Sequence, residues 1–345
     1  MRQVLMIEAD PEVQKLVTRA LEGRVELFIA ETKEACYSFL SEQQPELILM
    51  SAAVTGRDGI KLYREFLKPP YGKDIPVLLL KRWSEPAMEE GAYSLGYADL
   101  ITVPCSEAVI INRVNIFLEL QASRTNALKY MVYQDTISVS IAELVECRDT
   151  TTGGHLKNTT AYYKLLLEEV TKREEFRGRI PEEDVRDLIR SAPLHDIGKI
   201  GINDEILKKA SPLDFNEFEY IKTHTILAKD TFEKIMKETG ESRFLVLARD
   251  LAYCHHERWD GTGYPNGLKG EEIPFYVRIL TIADVYDALT SRRTYKKAFT
   301  HEEAVEIIRQ GRGTLFDPEI VDLFLQIKDQ FQQALGRKYK NSAES

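Results

Sequence analysis

The chain has 345 residues, of which 43% are hydrophobic, and it carries a formal net charge of −9 at pH 7. This length and apolar content predict two globular domains. The acidic balance argues against DNA binding, because such binding needs a basic surface that displaces the counterions of the phosphate backbone.

The sequence also indicates a compartment. The four cysteines are isolated and form no Cys-x-x-Cys pair, which is typical of proteins in a reducing cytosol. Glu8 and Asp10 interrupt the first apolar residues before they reach signal-peptide length, and no stretch approaches the roughly 20 apolar residues of a membrane span. We therefore expect a soluble cytoplasmic protein with no membrane insertion.

The first hundred residues contain three short apolar runs, separated by stretches long enough for helices. These runs are residues 3–7, 46–50 and 76–80. Near-continuous apolar strands that alternate with helices are typical of a parallel sheet covered on both faces. We therefore predict a doubly wound α/β domain over residues 1–107. In strand spacing, and in residues 45–50 and 75–77, it resembles the receiver domain of bacterial response regulators.

The chemistry of this receiver-like domain departs from the family pattern. The resemblance implies a phospho-acceptor aspartate after the third strand, where this chain has Ser51. The assisting threonine and lysine align with Lys81 and Val103, while Glu8 and Asp10 remain from the acidic cluster. A serine cannot form an acyl phosphate, and the phosphoryl oxygens lose their counter-charge without the lysine. We predict a degenerate receiver that acts through partner binding or dimerisation.

A long helix is predicted between the two domains, over residues 108–147. This stretch contains no glycine or proline, and its apolar residues recur at roughly helical spacing. Two interpretations stay open at this point. The helix either pairs with a second copy of the chain or packs only on its own domains.

The rest of the chain has no strand pattern and is predicted to be an all-α helical bundle over residues 148–335, followed by a polar tail at 336–345. Six helices are expected, at about 156–175, 182–197, 214–238, 242–257, 275–291 and 301–311. Thr300 and Glu303 form a predicted capping box, which places His301 on the surface of a first helical turn.

Five of the six histidines lie between positions 155 and 256, where they join two aspartates as candidate metal ligands. The candidates are His155, His195, Asp196, His224, His255, His256 and Asp284. One or two ligands per helix suit a bundle, and seven exceed one tetrahedral ion, so two ions that share a carboxylate would use them best. A single buried histidine is more often a satisfied core residue, but five together would be costly to desolvate without a metal.

Two longer motifs contain most of these candidates. Residues 195–201 (HDIGKIG) and 255–265 (HHERWDGTGYP) resemble the two signatures of the HD-GYP proteins, a bacterial branch of the HD phosphohydrolases. Residues 152–155 and 282–290 match further stretches of that family. The resemblance covers about 140–330.

The resemblance implies a bundle with two or three metal ions, usually iron or manganese, that hydrolyses cyclic di-GMP to the linear dinucleotide pGpG or to GMP. The nucleophile would be a hydroxide bridging the metals. The ligands of the first ion would be His155, His195, Asp196 and Asp284. Those of the second would be Asp196, as the bridge, with His224, His255 and His256. Members with three metals carry a glutamate where this chain has Thr151, so we predict two divalent ions, iron with manganese as the alternative.

Other residues are expected to contact the substrate. Lys199 lies one helical turn after His195, where it would reach phosphate oxygens or act at the leaving oxygen. The alternative is a lysine at a helix end, whose positive charge only interacts with the helix dipole. By resemblance, Arg293 and Lys296 approach the substrate phosphate, although a basic run is usually a solvated face. The glycine-rich loop at 261–267 is expected to shape the rim of the site or to bind a signalling partner.

Three functions stay open on the sequence alone. The leading prediction is a metal-dependent cyclic di-GMP phosphodiesterase. The second is a catalytically weak or inactive cyclic-dinucleotide sensor or scaffold, and the third is a hydrolase of another nucleotide phosphate. Departures from the family at Thr150 and Leu315 bear on the fit of the substrate.

Overall fold

The computed structural model describes residues 1–51, 75–82, 92, 96–149, 154–209, 211–291 and 298–341. The chain forms two compact units, Met1–Val132 and Tyr133–Ser345. The division falls inside one long helix, α3 (Glu107–Asp149), which begins and ends close to the bounds expected for a connecting helix.

The first unit is built on a five-stranded, fully parallel sheet. Its strands are β1 (Gln3–Ile7), β2 (Glu26–Ala30), β3 (Leu47–Ser51), β4 (Val77–Arg82) and β5 (Asp99–Val103), in the spatial order β2-β1-β3-β4-β5. Helices α1 (Pro11–Leu21) and α2 (Lys33–Glu42) connect the first three strands. The predicted doubly wound α/β fold is confirmed.

Alternate side chains of the central strands enter two separate cores, because successive residues of a strand point to opposite faces. One core contains Val4, Leu49 and Leu78 and is covered by α1 and the first turns of α3. The other contains Leu5 and Leu79 and is covered by α2. Burial on both faces explains why β1, β3 and β4 have continuous apolar sequences.

The two outer strands, β2 and β5, were not among the apolar runs found in the sequence. β2 is only partly buried, and its first residue, Glu26, is exposed. β5 alternates between buried and half-buried residues. Edge strands need less apolar sequence because one side has no neighbouring strand, so a search for continuous apolar runs misses them.

The carboxyl end of this sheet is where a receiver carries its phosphorylation site. Ser51 ends β3 and is buried, and Lys81 is buried near the end of β4.

Asp10 caps α1 by accepting a hydrogen bond from the Glu12 N–H, and this contact, helped by an ion pair with Arg82, lowers its pKa. Glu8 accepts the backbone N–H groups of Ala9 and Asp10. Both acidic side chains therefore have structural partners.

The second unit is helical, as predicted, and its described residues contain no strand beyond one isolated bridge. The helices after α3 are α4 (His155–Lys172), α5 (Glu182–Ser191), α6 (Asp204–Leu207), α7 (Phe215–Thr239), α8 (Arg243–Cys254), α9 (Phe275–Thr290), α10 (His301–Gln310) and α11 (Pro318–Asn341). Their main core contains Tyr162, Leu251, Leu280 and Phe324.

Three sequence expectations for this unit need correction. The helix expected over 182–197 ends at Ser191, and a 3₁₀ turn containing Pro193 follows, because proline cannot continue the hydrogen-bond ladder. The capping box at Thr300 is present, but His301 is buried, with Nδ1 2.7 Å from the Tyr286 hydroxyl. Helix α11 was not predicted, although Ile320, Phe324, Ile327 and Phe331 have helical spacing and are buried.

Within the described part of the chain, no helix is long and apolar enough to span a bilayer. The longest helix, α3, carries several charged residues in every membrane-length window.

The chemistry at the end of the sheet predicts that this unit does not accept phosphate. Incubation of the full chain with acetyl phosphate and Mg²⁺ should leave its migration in a phosphate-affinity gel unchanged, because Ser51 cannot form an acyl phosphate. Any hydroxylamine-sensitive phosphorylated species mapped to a carboxylate of Met1–Val132 would refute this prediction.

Candidate metal centre

Five segments of the second unit bring the seven candidate ligands together. His155 is the first residue of α4, and Gly154 before it has φ 115°, a conformation that L-residues with side chains rarely adopt. His195 and Asp196 lie between two 3₁₀ turns, and His224 lies in α7. The remaining three, His255, His256 and Asp284, come from the end of α8 and the middle of α9.

The side chains form two adjacent groups. In one, Asp196, His224, His255 and His256 offer ligand atoms that all lie within 4.8 Å of one another. In the other, His155, His195 and Asp284 do the same. This division agrees with the two ligand sets that the HD-GYP resemblance implies.

The carboxylate of Asp196 lies between the two groups. Its Oδ1 atom is 3.5 Å from His224 Nε2 and 3.6 Å from His255 Nε2, while Oδ2 is 3.6 Å from His195 Nε2. In the group without Asp196, Asp284 Oδ1 lies 3.3 Å from His155 Nε2. Atoms bound to one ion at about 2.0–2.2 Å are separated by roughly 3 to 3.5 Å, so these spacings approach those of shared coordination. Each oxygen of Asp196 therefore faces a different ligand group.

Several of these atoms are buried without a hydrogen-bond partner among the described residues. They are the Nε2 atoms of His195, His224 and His255, and Oδ1 of Asp196. A buried polar atom normally has a partner, because burial without one costs free energy. Divalent cations in the two groups would satisfy these atoms, so the donor set fits metal ions.

Backbone carbonyls orient three of the imidazoles. The Nδ1 atom of His195 lies 2.8 Å from the Ala192 oxygen, and that of His224 lies 2.7 Å from the Ile221 oxygen. His255 Nδ1 is 3.1 Å from the Ala252 oxygen. A carbonyl can only accept, so Nδ1 carries the proton and Nε2 presents its lone pair towards the site.

Burial keeps most of these rings neutral, which metal binding requires. Desolvation lowers the pKa of His224 to about 4 and also lowers the pKa of His195. Burial opposes ionisation of Asp196, but the nearby Lys199 ammonium holds the pKa of that carboxyl well below its usual range. His155 differs: burial disfavours its protonation, but contacts with Asp284 and Asp287 raise its pKa to about 10.

Lys199 lies at the edge of the site, where its Nζ atom is 2.8 Å from Asp196 Oδ2. The structure thus places it beside the carboxylate oxygen that faces His195. Arg293, Lys296, Thr150 and Thr151 lie outside the described residues. Leu315 lies within them, and its carbonyl accepts the Trp259 N–H.

Sequence reasoning missed two residues that support the site. Buried Asp287 places Oδ2 2.7 Å from His155 Nδ1, and its position three residues after Asp284 on α9 was a usable signal. Buried Glu257 accepts the N–H groups of Asn266 and Leu268, at 2.7 and 3.0 Å, and so anchors the 261–267 loop. The contacts of Glu257 join separate segments of the chain and leave no local pattern in the sequence.

The loop in turn contacts a candidate ligand. The Tyr264 ring lies 4.7 Å from the His256 ring, centroid to centroid. A Cβ atom on Gly263 would lie 2.6 Å from the His256 oxygen and 2.5 Å from Glu257 Cα, so only glycine fits there. The expectation that this loop shapes the rim of the site agrees with these contacts.

Comparison with known proteins places this geometry in a family. Residues 154–320 match the family model described as an HD domain, and residues 4–115 match that of the response regulator receiver domain. The fold and the paired His/Asp groups thus define an HD-domain protein with a receiver domain. The chain belongs to the HD-GYP family, in its response-regulator form.

Three relatives support this assignment. A Vibrio cholerae protein named "Probable cyclic di-GMP phosphodiesterase" is 33% identical over 93% of this chain and 77% of its own length. The "Cyclic di-GMP phosphodiesterase response regulator RpfG" of Xanthomonas campestris pv. campestris is 31% identical over 85% and 78%. The "3'3'-cGAMP-specific phosphodiesterase 2" of Vibrio cholerae is 34% identical over 63% and 37%.

The packing of Gly198 predicts a sensitive position next to Asp196. A Cβ atom there would lie 1.9 Å from the backbone oxygen of His224, so Gly198→Ala must push α7 away from the site. We expect the free energy of unfolding to fall by about 1–3 kcal/mol and the bound metal to be lost. Denaturant melts and elemental analysis of the purified variant measure both.

Gly201→Ala is the matched control, because its Cβ would meet only the flexible side chain of Leu227, with Cδ1 at 2.7 Å. Equal stability and metal content in Gly198→Ala and the wild type would show that this close approach is unimportant.

Proposed function

We propose that this protein is a phosphodiesterase with two divalent metal ions and that its substrate is cyclic di-GMP. The observation that supports this most strongly is the position of Asp196, whose two carboxylate oxygens face different groups of imidazole nitrogens. A residue that serves two ions at once needs this arrangement. The names of two relatives, both given as cyclic di-GMP phosphodiesterases, support the substrate.

In this proposal, His155, His195, Asp196 and Asp284 hold one ion, while Asp196, His224, His255 and His256 hold the other. Two divalent ions would supply positive charge for the phosphate and lower the pKa of a bound solvent molecule. Iron is the proposed metal and manganese the alternative, since a set of imidazoles and carboxylates accepts either.

The protein's own groups have defined tasks in this scheme. The backbone carbonyls at Ala192 and Ile221 fix the imidazoles of His195 and His224, so that no reorganisation is needed when the substrate binds. The Lys199 ammonium lies beside Asp196, with Nζ 2.8 Å from Oδ2. From this position the ammonium can donate to a phosphate oxygen or to the leaving oxygen. Arg293 and Lys296 are proposed to bind phosphate on the family resemblance alone.

Two other functions are retained. A sensor or scaffold would bind the dinucleotide without turnover, and the named 3'3'-cGAMP-specific relative favours a second nucleotide substrate as the competing enzyme function. The 261–267 loop or the receiver domain is the proposed contact for a signalling partner. A cytoplasmic location stays a prediction from the sequence.

Replacement of the shared carboxylate tests the proposal. Asp196→Ala should reduce metal content to half or less and lower the rate of cyclic di-GMP hydrolysis by at least about 100-fold, because both ions lose a ligand. Anaerobic purification, elemental analysis and chromatography of the linear product measure these changes. Asp230→Ala, on the exposed side of α7, is the matched control and should match the wild type.

The wild type separates the three functions in the same assay. Tight binding of cyclic di-GMP without product would support the sensor, and preferred turnover of 3'3'-cGAMP would support the other substrate. Unchanged metal content in Asp196→Ala would contradict the bridging role.

We also propose that α3 pairs in parallel with α3 of a second copy. Exposed apolar side chains occupy five of six positions spaced seven residues apart, at Val109, Ile116, Tyr130, Ile137 and Leu144, and Ser123 occupies the sixth. Two more exposed apolar residues, Leu120 and Ile141, lie four residues after members of this series. This repeat is typical of a coiled-coil seam. In a parallel pair, Glu119 lies opposite Arg124 of the second copy, at positions where opposite charges stabilise such dimers.

A charge in the seam should dissociate the dimer. Ile137→Glu should raise the dimer dissociation constant at least about 10-fold, because the carboxylate would be buried against the second helix. Analytical ultracentrifugation of the full chain measures this constant. Leu128→Glu is the control, since Leu128 is 50% exposed but lies outside the repeat. A monomeric wild type, or equal effects of both variants, would exclude the pairing.

A further inference from the structure

A short aromatic path leads away from the candidate metal ligands. Its first ring is Tyr264, which lies 4.7 Å from the His256 ring with an interplanar angle of 31°. Its second ring is Phe218 on α7, whose centroid is 6.4 Å from that of Tyr264 at an angle of 81°. Phe218 is 46% exposed although it is a large apolar side chain. The path therefore runs from a ligand imidazole to the protein surface.

A lysine lies over both rings of this path. Lys222 Nζ is 4.8 Å from the Phe218 centroid and 5.4 Å from the Tyr264 centroid, within the range of cation–π attraction. Its ammonium also forms an ion pair with Glu219, one turn earlier on α7. An ammonium has three donor hydrogens, so one contact with Glu219 leaves donors for another acceptor.

The geometry points to a purine-binding subsite formed by Phe218, Tyr264 and Lys222, which we call the base platform. It would receive the nucleobase next to the phosphate held by the His/Asp groups. The inference rests on the proposed function, because it requires a phosphate ester at those groups. The ligand class is a purine nucleotide, with guanine preferred over adenine.

Ring stacking explains why a base would bind here. Any nucleobase has a flat π-face that stacks on aromatic side chains, and an exposed Phe218 beside Tyr264 offers such a surface next to the candidate ligand His256. An exposed phenylalanine contributes little to the stability of the free protein. A ligand that covers it removes this apolar surface from water.

Lys222 accounts for the preference between purines. On its major-groove edge, guanine presents two acceptors, N7 and O6. On the same edge, adenine presents the N7 acceptor beside an amino donor. An ammonium can donate to both acceptors of guanine but meets a donor on adenine. Lys222 is thus the proposed specificity residue and Phe218 the stacking residue.

A purely structural role for the same residues gives a different expectation. If Phe218 and Lys222 only hold Tyr264 and its loop in place, their replacement disturbs His256 and weakens the binding of every phosphate ligand alike. Comparing ligands with and without a base therefore separates the two roles.

The experiment measures binding to the full-length, metal-containing protein by isothermal titration calorimetry. The probes are GMP, AMP and ribose 5-phosphate, which has the same phosphate and sugar but no base. Phe218→Ala should weaken GMP binding about 10-fold, as expected for the loss of one stacking ring, and leave ribose 5-phosphate binding unchanged. Lys222→Met should bring the affinities for GMP and AMP close to each other.

Two matched controls lie on the same helix. Phe215→Ala removes a ring that is 77% exposed at the start of α7, and Lys229→Met removes a lysine that lies over Tyr253 instead of the platform. Both should bind all three probes as the wild type does. A thermal melt of each variant checks that the fold is intact.

The outcomes for the two proposals are distinguishable. Equal weakening of GMP and ribose 5-phosphate by Phe218→Ala, or no weakening of either, would overturn the base platform. Hydrolysis of bis(p-nitrophenyl) phosphate by the wild type, assayed in parallel, tests whether the His/Asp groups cleave a phosphodiester that has no nucleobase. A wild type that binds GMP through the platform but hydrolyses no diester would overturn the proposed function and leave the platform supported.

Discussion

The carboxylate of Asp196 lies between two clusters of imidazoles, several of whose inward nitrogens have no hydrogen-bond partner within the described part of the chain. Burial lowers the pKa of His224 to about 4 and also lowers the pKa values of His195 and His256, which reduces repulsion between protonated rings. The cluster is nevertheless costly for an isolated bundle, because buried lone pairs have lost their water. Divalent cations provide the missing partners, and most features of the second unit follow from the need to position their ligands.

The surrounding structure supports that centre at two levels. Helices α7 and α8 and the turns around His195 fix ring orientation through backbone carbonyls, so the ligand geometry depends on main-chain structure. Buried Glu257 then ties the 261–267 loop to the end of α8 and holds Tyr264 against His256. The same loop that closes the side of the metal centre thus supplies one wall of the base platform.

Sequence reasoning predicted the parts that leave a local pattern. The continuous apolar runs of β1, β3 and β4 identified a doubly wound sheet, and the spacing of His195, Asp196 and the other candidates identified residues that the structure brings into two groups. Edge strands β2 and β5 were missed because they are only partly buried. His301 was placed on the surface because its capping position hid a buried contact with Tyr286. Glu257 and the base platform depend on contacts between separate segments, which no single-sequence pattern reveals, whereas Asp287 follows Asp284 by three residues on α9 and was overlooked.

Electron paramagnetic resonance of the manganese-loaded protein tests the central claim most directly. If Asp196 joins two ions, the fully loaded wild type should give the broad, exchange-coupled signal of a Mn²⁺ pair, and Asp196→Ala should lose it. A hyperfine sextet typical of isolated Mn²⁺ at full loading of the wild type would contradict a shared carboxylate and the two-metal account.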